Sequence, residues 1–219
     1  MNHPQGATAG PQHHWESLTD WVRAQVAEVL NPIARVLARR GVHPNSVTLV
    51  GFLLQAGIGT LFALGRIRLG GLLLAVVGPL DALDGAVARA NGQEHPFGAF
   101  LDSTLDRLSD AVLILGLTAY HLRQGALLPV GLLLVALVSA LMVSYTRARA
   151  EALGLSCKVG LLTRMERIFL IAVMSALGLV TPLAWALAAL SLVTFLQRVL
   201  QRLLDLREAR NNVLEALDS

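Results

Sequence analysis

Six long apolar blocks, with the charged residues gathered between them and at their ends, constrain this 219-residue chain more than any other feature. They lie near residues 47–65, 69–90, 98–121, 126–149, 160–180 and 182–204. Each is close to the roughly 20 residues that an α-helix needs to cross a bilayer. Composition agrees: 54% of residues are hydrophobic and 15% charged, against about 25% charged in an ordinary soluble chain. The expectation is an all-α integral membrane protein whose main domain, residues 41–205, holds six transmembrane helices.

The flanks differ in kind. Residues 1–14 are polar, contain Gly and Pro, and lack the apolar centre of a signal peptide, so they read as a disordered tail. Over residues 15–40, Trp15, Leu18, Val22, Val26, Val29, Ile33 and Val36 recur at three- and four-residue steps, and Arg23, Glu28, Arg35, Arg39 and Arg40 fill other positions. That spacing predicts an amphipathic helix lying on the membrane surface, interrupted at Pro32. Gly41–Ser46 reads as a turn, with Asn45 or Ser46 capping the next helix. Pro79 should bend the second block. Residues 206–219 read as a C-terminal tail. The lone Cys157 excludes an internal disulfide.

The net charge of +3 does not point to nucleic acid, because the Arg residues stand at the ends of apolar blocks. With the N-terminus in the cytoplasm, only Arg66, Arg68 and Arg123 fall outside, and the remaining block-flanking Arg and Lys residues fall inside. The positive-inside rule therefore predicts a multi-pass protein of the cell membrane with both termini cytoplasmic.

The second and third blocks carry acids that a lipid-facing helix would not tolerate. Asp81 and Asp84 are three residues apart, and Asp102, Asp106 and Asp110 are four apart, so each set shares a helix face. Each carboxylate at the bilayer centre costs about 2.5–3.5 kcal/mol on insertion scales, so the two rows must line a polar cavity. Arg89 and Arg107 are too few to neutralise them. Oxygen-only ligation suits a hard divalent ion such as Mg²⁺ or Mn²⁺. Structural salt bridges alone would leave acids in excess. A cation transporter would need acids through the whole membrane depth, and the first and sixth blocks have none.

The stretch from Asp81 to Asp106, DALDGAVARANGQEHPFGAFLDSTLD, resembles the signature of the CDP-alcohol phosphatidyltransferases. Its fixed positions are matched by Asp81, Asp84, Gly85, Ala88, Arg89, Gly98, Asp102 and Asp106. The resemblance implies six membrane helices after a surface helix, a homodimer, and transfer of a phosphatidyl group from a CDP-lipid to an alcohol with release of CMP. It implies that Asp81, Asp84, Asp102 and Asp106 hold two metal ions, Mg²⁺ or Mn²⁺, and that Asp106 is the general base. It also implies a nucleotide and CDP-lipid site at Gly85, Ala88, Arg89 and Gly98, with Ser46 and Thr48 from the HPNSVT turn and His95 beside it.

Arg residues gather at the ends of the later blocks: Arg147, Arg149, Arg164, Arg167 and Arg198. They anchor the inner face, yet they also converge near the acids, and Arg forks onto phosphate. A phosphorylated acceptor fits. The RARAE run and the following RMER resemble the phosphatidylinositol phosphate synthase branch, which implies that Arg147, Arg149, Arg167 and Arg198 hold the phosphate of inositol 1-phosphate. Glycerol 3-phosphate is the alternative acceptor. The expected partners are thus CDP-diacylglycerol, a small phosphorylated alcohol and membrane lipids.

Overall fold

The computed structural model describes residue 30 and residues 32–91, 95–152 and 162–218, without the side chains of residues 81, 82, 84, 91, 205, 206 and 208–218. The tail over 1–14, most of the amphipathic helix expected over 15–40, the connection holding Cys157 and Lys158, and the side chains of Asp81 and Asp84 lie outside the described residues.

Among the described residues every regular element is helical. After α1 (residues 32–39) come α2 (Pro44–Ala63), α3 (Ile67–Val77), a 3₁₀ turn (Gly78–Leu80), α4 (Asp81–Asn91), α5 (Pro96–Arg123), α6 (Leu127–Ala152), α7 (Arg164–Ala176) and α8 (Val180–Asp218). Pro79 sits in the 3₁₀ turn. Its missing N–H interrupts the α-helical ladder, so the second block becomes two helices, with the carboxylate pair opening the second.

The helix ends are set by local chemistry. His43, rather than Asn45 or Ser46, caps α2: its Nδ1 accepts from the Asn45 N–H at 3.3 Å. Pro44 at the first helical position explains the shift, because its fixed φ suits that place and its absent N–H would have no partner there. The helix α2 stops at Gly65, whose φ of 82° permits the Arg66 N–H to reach back to the Leu61 carbonyl at 2.9 Å. In the fifth block, a capping box between Thr163 and Glu166 starts α7 at Arg164, later than the expected 160. Gly178, with φ 77°, follows its last turn. The sixth block continues beyond 204 as one 39-residue helix to Asp218, since its Leu, Glu and Arg residues are strong helix formers.

Helix α2 packs along α5, α6 along α8, and α3 along α7. Phe62, Leu74, Leu113, Leu117, Leu133, Ile171, Leu183 and Leu187 form a single core. A smaller cluster joins Leu30 and Ala34 to Leu83, Ala86 and Val87, seating α1 on α4 while Ile33, Arg35, Val36 and Arg39 stay exposed. Many large apolar side chains point outward, among them Leu53, Leu72, Val76, Leu128 and Val138. A water-facing surface rarely carries so much continuous apolar area. Among the described residues, four helical stretches, Pro44–Ala63, Ile67–Ala90, Leu127–Ala152 and Val180–Leu204, are long and apolar enough to cross a membrane.

The α2–α5 contact is a backbone contact. A Cβ on Gly116 would lie 2.2 Å from the Gly59 carbonyl oxygen, and one on Gly59 would lie 2.6 Å from the Val112 oxygen. The small-residue stretch Gly51–Gly59 thus packs within the bundle at Gly59, whereas Gly57 meets nothing within 4 Å. Because neither backbone can yield cheaply, Gly116→Ala should lower stability by about 1–3 kcal/mol. Thermal unfolding in detergent checks this; an unchanged melting temperature would refute the tight contact.

Candidate active site

Helix α5 organises the site. Pro96 opens it after His95, which has an extended backbone at the N-cap. Asp102, Asp106 and Asp110 then follow one another at single-turn intervals on one face. Where α2, α4 and the start of α5 meet there is a cavity of about 370 Å³ lined by Asn45, Thr48, Gly85, Ala88, Arg89, His95, Gly98 and Asp102 together with Pro44, Pro96 and Ala99. Gly98 faces Asn45 closely: a Cβ there would lie 3.3 Å from the Asn45 side-chain oxygen. At Gly85 the nearest atom to such a Cβ is Arg89 Nη1 at 3.4 Å, so the missing side chain leaves room for the cavity rather than averting a clash. Ser46 is exposed and does not line this cavity.

A second cavity, of about 410 Å³, lies between α5, α6, α7 and α8. Its lining includes Asp102, Ser103, Asp106, Arg107 and Asp110 from α5 and Ser144, Arg147 and Glu151 from α6, with Thr163, Arg164 and Arg167 from the start of α7 and Arg198 from α8. Arg149 is exposed and is not part of the lining. Asp102 belongs to both cavities.

Ion pairs knit the second cavity. Arg164 Nη1 lies 2.9 Å from Asp106 Oδ1, and its Nε lies 3.8 Å from Asp110 Oδ1. Arg167, only 2% exposed, donates from Nε to Asp110 Oδ2 at 3.1 Å and from Nη2 to the same oxygen. Arg147 Nε bonds Glu151 at 2.8 Å. Arg198 Nη1 donates to the Val143 carbonyl at 3.0 Å, joining α8 to α6. The start of α7 is held in place from α8, because Thr194 Oγ1 accepts the Leu162 N–H at 3.0 Å. Charges buried as deeply as those of Arg167 and Asp110 persist only when paired, since desolvation costs several kcal/mol per ion.

The donor chemistry fits a hard divalent ion. Asp102 and Asp106 supply carboxylate oxygens one turn apart, and α4, which carries Asp81 and Asp84 in its first turn, also lines the first cavity at Gly85, Ala88 and Arg89. Among the described residues, no three His, Cys, Asp or Glu side chains form a group. The structure also gathers residues that the signature does not contain: Asp110, Arg164, Ser103, Ser144 and Glu151. For Asp110 the signal was its place in the four-residue Asp row. For Arg164 it was the three-residue step to Arg167.

A family model described as CDP-alcohol phosphatidyltransferase matches residues 41–197. The archaetidylinositol phosphate synthase of Pyrococcus horikoshii is 41% identical over 179 residues, which cover 81% of this chain and 93% of that protein. A crystal structure of Mycobacterium tuberculosis phosphatidylinositol phosphate synthase with CDP-DAG bound superposes with a TM-score of 0.74 at 33% identity, covering 79% of this chain and 92% of that one. The same enzyme in complex with manganese and citrate gives a TM-score of 0.70 at 32% identity, over 78% and 87% of the two chains.

Proposed function

Because the chain belongs to the CDP-alcohol phosphatidyltransferase family, we propose that it transfers a phosphatidyl group from CDP-diacylglycerol, or a similar CDP-lipid, to a hydroxyl of inositol 1-phosphate, releasing CMP. It is a membrane enzyme of phospholipid biosynthesis that works with a divalent metal. The observation that carries the acceptor reading is the second cavity, where Arg167, Arg198 and Arg147 meet Asp102 and Asp106. Three guanidinium groups at one cavity outnumber what an unphosphorylated alcohol would call for, and they suit a phosphate. The names of the relatives, an archaetidylinositol phosphate synthase and a phosphatidylinositol phosphate synthase, favour inositol 1-phosphate over glycerol 3-phosphate.

In this reading the first cavity takes the cytidine diphosphate end of the donor. Arg89 meets the diphosphate, Gly85, Ala88 and Gly98 leave room for it, and Thr48 and His95 border the nucleotide, with Ser46 at the approach. The acceptor hydroxyl attacks the phosphorus that bears the lipid, its proton passes to Asp106, and the bond to the CMP oxygen breaks. Arg147, Arg167 and Arg198 hold the acceptor phosphate in forked contacts, and exposed Arg149 adds charge at the approach. Two divalent ions, held by Asp81, Asp84, Asp102 and Asp106, would offset charge on the diphosphate and on departing CMP.

The topology proposed with it has six spans, both termini and the active site cytoplasmic, residues 15–40 on the membrane surface, and two copies forming a homodimer. The seating of Ala34 on α4, with Arg35 and Arg39 exposed, supports the surface helix. The 13 residues of α7 rise about 20 Å, so a full crossing there relies on flanking residues or local bilayer thinning.

The test is CMP release by purified protein in detergent, with CDP-diacylglycerol and Mg²⁺ or Mn²⁺, offered inositol 1-phosphate, glycerol 3-phosphate or free inositol. Release is expected with inositol 1-phosphate, to vanish with chelator and return with metal. Equal release with free inositol would remove the acceptor reading.

A further inference from the structure

The reaction set out above gives Asp110 no task, yet Asp110 is the most deeply buried acid on α5, at 5% exposed. A carboxylate withdrawn from water at this cost must be held by cations. Its Oδ2 takes both Nε and Nη2 of Arg167, leaving Arg167 Nη1 without a hydrogen-bond partner among the described residues. A guanidinium gripped along its Nε–Nη2 edge has its Nη1 end left to present, and Arg167 lines the second cavity. Asp110 Oδ1 also stands 3.8 Å from Arg164 Nε, while Arg164 Nη1 reaches Asp106 at 2.9 Å.

We propose that Asp110 is a positioning residue for the acceptor: it clamps Arg167 so that the Nη1 end faces the acceptor phosphate, and it shares Arg164 with Asp106. The phosphate grip and the base are thereby held in fixed relation along one face of α5. This role rests on the phosphorylated-acceptor reading above. Without the clamp, Arg167 would have to freeze its long side chain on each binding event, at a cost in rotamer entropy.

A simple countercharge would behave in the opposite way. Removing a negative charge beside an anion site strengthens anion binding, whereas losing the clamp weakens it. Asp110→Asn removes the charge with little change in shape, and Asp110→Glu keeps the charge but moves it. The experiment measures CMP release with inositol 1-phosphate and CDP-diacylglycerol varied separately. In both variants the acceptor KM should rise about tenfold or more, the scale of one lost charge-assisted hydrogen bond. The CDP-lipid KM should stay within about twofold. A lowered acceptor KM in Asp110→Asn, or an unchanged one in Asp110→Glu, overturns the proposal. So does an equal rise in both KM values. If Asp110→Asn does not fold, Asp110→Glu decides alone. Failure of the underlying reading is seen separately, in wild-type protein that releases no CMP with any phosphorylated alcohol, and the positioning role falls with it.

Discussion

Asp106→Asn should lower CMP release by about 10²–10⁴-fold, the usual contribution of a positioned general base, while the protein stays folded. The substitution keeps the shape and an oxygen that can still accept from Arg164 Nη1, now 2.9 Å from Asp106 Oδ1. It removes the negative charge that, in the proposed reaction, accepts the hydroxyl proton. Steady-state turnover in saturating donor and acceptor is the measurement, with thermal unfolding as the control for folding. Turnover within a few-fold of wild type would take Asp106 out of the chemistry and leave it an ion-pair partner.

Arg167→Ala should act on two quantities at once. Among the described residues, Asp110 would be left buried with only Arg164 Nε, 3.8 Å away, and orphaning one member of a buried pair costs about 3–5 kcal/mol. The melting temperature should fall and the acceptor KM should rise, with a smaller change in the CDP-lipid KM. Arg167→Lys should recover much of the stability but less of the acceptor affinity, because an ammonium cannot fork. A variant that melts like wild type and binds acceptor normally would show the Arg167–Asp110 pair to be idle.

What could be read from the sequence follows from how local the signal is. Helical spacing alone set Asp102 and Asp106 on one face, and the structure adds that this face borders both cavities. Pro79 marked the break between α3 and α4. The helix starts were less legible. Pro44 moved the cap of α2 to His43, and the Thr163–Glu166 box set the start of α7 at Arg164. The pairing of Arg167 with Asp110 spans 57 residues. No periodicity encodes it, because it exists only once α7 is laid against α5. For the same reason Arg147 and Arg149 look alike in the RARAE run, although only Arg147 lines the cavity. Two residues apart on a helix, they point in different directions.

The sharing of Asp102 by two separate cavities has a stereochemical consequence. If donor and acceptor each have their own chamber, both are bound when the phosphorus changes partners, and no enzyme-linked lipid is needed between them. Initial-rate lines measured at several acceptor concentrations should then intersect rather than run parallel. A donor made chiral at the lipid-bearing phosphorus should emerge with its configuration inverted, the mark of a single displacement.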